Sequence, residues 1–222
     1  MPLVSGNEHR PRAYRSELRR AQAEQTRALV LDAAASLFEE RGYEGTSIAA
    51  IAETARVSAE TVYARFGTKR AVLGELVRRA VRGDDQAPVP EQAGPRAIAA
   101  VTDQHEQLRL FAADISLRLE RAAPLVTIVA GVARSDPELA DLLAALHADR
   151  LKNLRSLVDT LAVNGPLRLE KDEAVDTVWA LTSPELHQLL VRVRGWTRQR
   201  HRDWLATSLA ELLLPQVRPS RA

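Results

Sequence analysis

From Leu29 to Leu213 the apolar residues recur at intervals of three and four, and no stretch alternates apolar and polar residues as a half-buried strand would. That period places side chains on one face of a helix, so the chain is expected to be all-α. Leu29, Val30, Ala33, Ala34, Leu37 and Phe38 share one face, and Gly42 stops their helix. Thr46 or Ser47 can cap a second helix with Ile48, Ile51, Ala52 and Ala55 on its inner edge. Ser58 can cap a third, with Val62 and Phe66 inward. Gly67-Thr68 ends it and opens a fourth through Val72, Leu73, Leu76, Val77 and Ala80.

Segment 47–66 therefore reads as two short amphipathic helices joined by a tight turn. The small Ala52 stands at the crossing, and Ile51, Val57 and Val62 lock it. Such a pair lets its second helix enter a DNA major groove. Charge agrees: residues 1–82 carry a balance of +4 and the remainder −2, within a total of +2 over 222 residues. A basic front half favours an anionic partner.

Residues 1–23 show no apolar period but gather Arg10, Arg12, Arg15, Arg19 and Arg20. They read either as a flexible, solvated arm or as a basic arm along a polyphosphate or in a minor groove. The DNA-binding domain is expected over 24–82. Residues 83–95, with three prolines and two glycines, read as a linker or ordered loop. A helical domain follows over 96–215. In it a long helix from about Arg96 carries the seam Ile98, Val101, His105, Leu108, Ala112, Ile115 and Leu119. Pro124 is expected to open a separate short helix. Asp136-Pro137-Glu138 starts the next, Gly165-Pro166 stops it, and Ser183-Pro184-Glu185 breaks the one after.

The chain contains no cysteine, which excludes disulfides, a thiol nucleophile and Cys-ligated metal. His9, His105, His147, His187 and His201 show no metal-ligand spacing, and there is no Gly-rich phosphate loop. No enzyme, metal or cofactor is expected. With no membrane-length apolar run and no secretory leader, the expected location is cytoplasmic.

The string from Thr26 to Val81 resembles the DNA-binding domain of the TetR (tetracycline repressor) family. The shared features are Leu37-Phe38, Arg41-Gly42-Tyr43 and Thr46; Ile51-Ala52; Val57-Ser58; Thr61-Val62-Tyr63 with Phe66; and Thr68-Lys69. One position departs: the family usually has Gly in the turn where this chain has Arg56. The resemblance implies an all-helical homodimer with an N-terminal DNA reader and a larger C-terminal domain that binds a small molecule.

On that frame, Thr46, Tyr63, Arg65 and Lys69 are expected to hold phosphates, by hydroxyl, phenol or charge. Ser58, Ala59, Glu60 and Thr61 lead the reading helix, where Ala59 can meet a thymine methyl and Glu60 a cytosine amino group. His105, alone on an apolar seam, reads either as a hydrogen-bonded core residue or, with Phe111 and Trp179, as lining an apolar effector cavity. Arg118, His147 and Arg150 are candidate partners for an acidic group. The C-terminal run Trp179–Leu186, Arg194-Gly195-Trp196 and Trp204-Leu205-Ala206 resembles one large subgroup of these regulators. In the family the last two helices pair the subunits, which implies an interface through Leu186, Leu190, Leu205, Leu209 and Leu212, though any one of these leucines reads equally well as core.

The function expected is a repressor that binds near-palindromic double-stranded DNA as a homodimer, its two readers one helical turn apart. An effector would release it. The alternative is a regulator with no small-molecule effector, and a helical enzyme is a distant third.

Overall fold

The computed structural model describes residues 10–83, 85 and 87–216, with side chains from Ser16 onward. The described residues are helices and their connections, with no strand among them. Two compact units divide at Glu75/Leu76.

The front unit contains α1 (Arg10–Arg41), α2 (Ile48–Ala55), α3 (Ala59–Phe66) and the start of α4 (Lys69–Arg82). Its core is Val30, Leu31, Leu37, Phe38, Ile51, Val62, Val72 and Leu73, each at most 4% exposed. Phe38 stacks on Tyr43 with centroids 5.7 Å apart. Gly42 takes φ +69 and ends α1, as its place in the sequence predicts.

The start of α1 differs from expectation. The helix begins at Arg10, so residues 10–23, expected as an arm, are its first turns; residues 1–9 lie outside the described part. The reason is cooperative. Residues 30–41 are packed, and extending an existing helix costs far less than nucleating one.

The rear unit holds the end of α4, then α5 (Ala93–Ala100), α6 (Gln104–Val132), α7 (Pro137–Asn164), α8 (Lys171–Leu181), α9 (Pro184–Gln188) with a π-helical turn at Leu189–Val193, and α10 (Arg198–Leu213). Leu108, Phe111, Ala112, Leu154, Val158, Leu161, Val175, Val178, Leu205 and Leu209 form its core. Of the two readings for 83–95, the described residues 87–95 fit an ordered loop. Val89–Glu91 make a 3₁₀ turn, and buried Gln92 donates its amide to the carbonyls of Arg82 (3.1 Å) and Ala87 (3.0 Å).

Two helix boundaries were misplaced by the periodicity. The seam through His105 is cut at Val101, and Asp103 caps α6 by accepting from the Glu106 N–H at 2.7 Å. Pro124 opens nothing; it lies inside α6. An interior proline costs about 3 kcal/mol in a bare helix. Here the flanking Ala122, Ala123, Val126 and Val129 are buried and offset it.

Candidate nucleic-acid interface

Two serines set the helix-turn-helix. The Ser47 Oγ accepts from the Ala50 N–H at 3.1 Å and starts α2. The Ser58 Oγ accepts from the Thr61 N–H at 3.2 Å and starts α3. Between them Arg56 takes φ 56, ψ 41, and the next N–H, that of Val57, returns to the Ala52 carbonyl at 3.0 Å. This closes the turn as a left-handed helix cap. Arg56 is the only non-glycine residue with positive φ among those described. An L residue there costs about 1 kcal/mol, so the turn geometry is kept although the glycine is not.

Only Val62 of α3 is buried. Ser58, Glu60, Thr61, Tyr63, Ala64 and Arg65 are exposed, with Tyr63 at 55%, and Ala59 is half-buried. The helix thus stands out from its unit along most of its surface, and its exposed groups are those a groove-reading helix needs.

Thr46 and Lys69 are placed differently from expectation. Thr46 is 2% exposed; its hydroxyl sits 2.8 Å from the Gly42 carbonyl and 3.1 Å from that of Leu37. Its N–H goes to the Tyr43 carbonyl at 3.2 Å. Neither group faces a phosphate; the expectation overlooked that this position closes the α1–α2 loop. Lys69 donates its ammonium to the carbonyls of Tyr43 (2.7 Å) and Thr46 (2.9 Å) and lies 4.0 Å from the Tyr43 ring centroid. Of its three donors, two are therefore committed to bracing the loop against α4.

Arg65 donates to Glu24 of α1 at 2.9 Å. Glu24 also lies 3.5 Å from Arg27, which pairs with Glu75. This chain of charges ties the last turn of α3 to α1. No local pattern could reveal it, because its partners are 41 residues apart.

The expected effector residues scatter. His105 is exposed; the buried polar position on that turn is Gln107, which donates to the Ile98 carbonyl at 3.2 Å. Phe111 is core. Arg118 is 8% exposed, pairs with Asp114 at 2.7 Å and donates to the Val81 carbonyl at 2.8 Å. His147 and Trp179 do meet, edge to face at 5.5 Å. Arg150 covers the same indole at 4.0 Å, donates to the Trp179 carbonyl and reaches the Thr182 hydroxyl at 2.9 Å. Burial pulls its guanidinium down to about 10.

A second polar cluster escaped the sequence. His201 is fully buried and shares a 2.8 Å hydrogen bond with Ser116; His187, 3% exposed, lies edge-on to it at 4.8 Å. Burial, and then the neighbouring His187, push His201 down to about 4. His187 is lowered by burial too, against the pull of Glu120 and with the push of Arg192. Among the described residues no group of three or more His, Asp or Glu could hold a metal ion, and no helix is long and apolar enough to cross a membrane.

Of the expected interface leucines, Leu205 and Leu209 are wholly buried in their own chain and cannot meet a partner. Leu186 and Leu190 are half-buried, and Leu212 is 42% exposed. The exposed apolar residues nearby are Leu189 (56%) and Val193 (74%). On α10 Leu205 and Leu209 belong to the core face of their own chain, and Leu212 lies on the outer one.

A capped helix pair with an exposed second helix defines a DNA-binding helix-turn-helix regulator. Residues 30–76 match the model of bacterial regulatory proteins, tetR family. These residues carry the DNA-binding domain of the TetR family, and over 81–87% of its length the chain shares the fold of solved TetR-family and related transcriptional regulators. Among solved structures, the TetR-family regulator PfmR from Thermus thermophilus is 25% identical, with TM-score 0.59 over 81% of this chain and 94% of that one. A TetR-family protein from Mesorhizobium loti is 19% identical, with TM-score 0.61 over 86% and 98%. A protein described as a transcriptional regulator from Saccharomonospora viridis, in complex with choline, is 20% identical, with TM-score 0.68 over 87% and 100%. No curated protein matches the chain in sequence.

Proposed function

We propose that this protein is a homodimeric repressor that binds a near-palindromic operator and leaves it when a small molecule occupies the rear unit. The observation that carries the DNA reading is the exposed face of α3, Ser58, Glu60, Thr61 and Tyr63, on a helix whose two caps and αL turn are fully formed. Ala59, Glu60 and Thr61 face base edges. Tyr63 and the free first-turn N–H groups of α2, on Ile48 and Ala49, hold phosphates. Arg65 joins them once it leaves Glu24, while Lys69 and Thr46 set the loop that positions these groups.

The rear unit supports an effector through the His147–Arg150–Trp179 cluster. An indole face with a partly buried guanidinium over it binds either a flat acidic ligand or, if the arginine swings away, a cationic one. The Saccharomonospora protein holds choline, which makes choline one probe. Effector binding acts on α4, whose last turn Arg118 grips at the Val81 carbonyl; the ligand must favour the state that does not bind DNA. Leu189, Val193 and Leu212 supply the apolar centre of the subunit contact.

The experiment is fluorescence anisotropy on a duplex selected from a random library with the full-length protein. Tyr63→Phe should weaken binding about tenfold or less, by roughly one lost phosphate hydrogen bond. Failure to select any duplex defeats the DNA reading. A thermal-shift series with choline, benzoate and acetate then tests the effector: release of DNA by a stabilising ligand supports it, and no stabilisation favours a regulator controlled without one.

A further inference from the structure

We propose that Glu24 is a built-in competitor for DNA: its carboxylate holds the Arg65 guanidinium that a backbone phosphate would take, and so sets how tightly the reading helix grips a duplex. This rests on the reading of α3 as the DNA-entering helix.

The geometry is a row of charges within the front unit. Arg65, in the last turn of α3, donates to the Glu24 carboxylate at 2.9 Å. Glu24 also lies 3.5 Å from Arg27, which stands one turn on along α1. Arg27 in turn pairs with Glu75 of α4. Arg27 is thus shared between two carboxylates, and its contact with Glu24 is longer than the one Arg65 makes. The charge of Glu24 is left mainly to Arg65.

Placement brings this carboxylate to the DNA side. Thr61, one turn before Arg65 on the same face of α3, is exposed and is among the residues assigned to base edges. Glu24 therefore sits beside the surface that meets the duplex. The Glu24 side chain is 65% exposed and that of Arg65 38%, so water and salt screen the pair and it can exchange partners. The pair is not what anchors α3, because Val62 does that, wholly buried in the core of the unit.

DNA disturbs the balance. A guanidinium offers the same planar fork to a carboxylate and to a phosphate, so the two compete for one group. When phosphate takes Arg65, Glu24 keeps only its share of Arg27 and is left as a negative charge beside a polyanion. When Glu24 keeps Arg65, the helix forgoes a phosphate contact. In either case the carboxylate cancels about one positive charge at this edge, and binding is weaker than it would be without it.

The test is fluorescence anisotropy with the full-length protein and three variants on the selected duplex, over a series of salt concentrations. Glu24→Gln keeps the shape and removes the charge. It should tighten binding about threefold to tenfold at low salt and steepen the slope of log affinity against log salt by about one. The melting temperature should stay nearly the same, because an exposed ion pair adds little to stability. Arg65→Gln should weaken binding and flatten the slope by about one. With Arg65→Gln already present, adding Glu24→Gln should return less than about half of its gain in log affinity, since the group it competes for is gone. A carboxylate that only braces α3 gives the opposite sign: Glu24→Gln would then loosen the helix and weaken binding, which overturns the inference. Unchanged affinity and slope overturn it too. So does an equal gain in both backgrounds, which would make Glu24 a general repeller of phosphates. Each of these outcomes leaves the reading of α3 standing. If the full chain selects no duplex at all, that reading fails first and this inference falls with it.

Discussion

The two units differ in how many of their interior polar atoms lack a hydrogen-bond partner: among the described residues the front unit has one, Arg70 Nε, and the rear unit several. In the front unit, Thr46 and Lys69 sit close to or within the core and their polar atoms end on named carbonyls. In the rear unit, Gln107 Oε1, His187 Nδ1, Trp196 Nε1 and His201 Nε2 are buried with no hydrogen-bond partner. A satisfied network fixes one geometry; unsatisfied buried groups retain a demand that water, a proton or a ligand can meet. The front unit is built as a rigid holder for α3. The rear unit holds more buried polar atoms whose hydrogen-bonding demand is unmet within the chain.

Acid should separate the units most strongly. His201 titrates near 4 in the folded chain, against about 6.5 when unfolded. Between those values the unfolded chain holds the extra proton, so stability is full above about pH 7 and falls as pH drops towards 4. The loss attributable to His201 is about 3 kcal/mol. Protonation puts a charge 4.8 Å from the ring of His187, which itself feels the charges of Glu120 and Arg192, with the Ser116 hydroxyl 2.8 Å away as hydrogen-bond partner. Urea unfolding at pH 7.5 and 4.5 measures it, followed by rear-unit tryptophan fluorescence; all three tryptophans, Trp179, Trp196 and Trp204, lie there. His201→Gln should flatten the pH dependence. A variant that loses as much stability in acid as the parent would remove His201 from the explanation.

The front unit should be broken by taking away a satisfied group. Lys69→Met keeps the stem and removes the ammonium, leaving the Tyr43 and Thr46 carbonyls without their donor. A loss of about 2 kcal/mol is expected, together with weaker DNA binding, because the loop before α2 loosens. The two roles separate by salt. If Lys69 only braces the loop, the salt slope of DNA binding stays near the parent's. If its third donor also reaches a phosphate, the slope falls by about one.

This contrast also decides what could be read from the sequence. In the front unit α2 and α3 are short and carry their own boundaries: Ser47, Ser58 and Gly67, with Gly42 ending α1, act on backbone groups within a few residues, so these boundaries fall where expected, whereas the start of α1 does not. The rear unit depends on distant partners. Asp103 caps α6 only because the chain turns at Val101, and His201 meets Ser116 across 85 positions. Leu205 and Leu209 show the same limit, since period identifies a buried face but not whether a subunit or the same chain buries it. Even in front, Thr46 and Lys69 were assigned by residue type to phosphates, while tertiary contacts turned both inward.

Arg56 offers the smallest effect and the sharpest check on rigidity. Its φ of 56 lies where a β-carbon is disfavoured, and its side chain is exposed. Arg56→Gly removes the β-carbon but gives the unfolded chain more freedom to lose, so the net gain should be a few tenths of a kcal/mol, at most about 0.6. Arg56→Ala keeps the strain and should leave stability nearly unchanged, which separates backbone relief from loss of charge. If the turn is as firmly held as its Val57–Ala52 hydrogen bond suggests, glycine will raise the unfolding midpoint without altering DNA affinity. A fall in affinity with glycine alone would mean that the turn had loosened, whereas an equal fall with both variants would mean that the guanidinium itself reaches DNA.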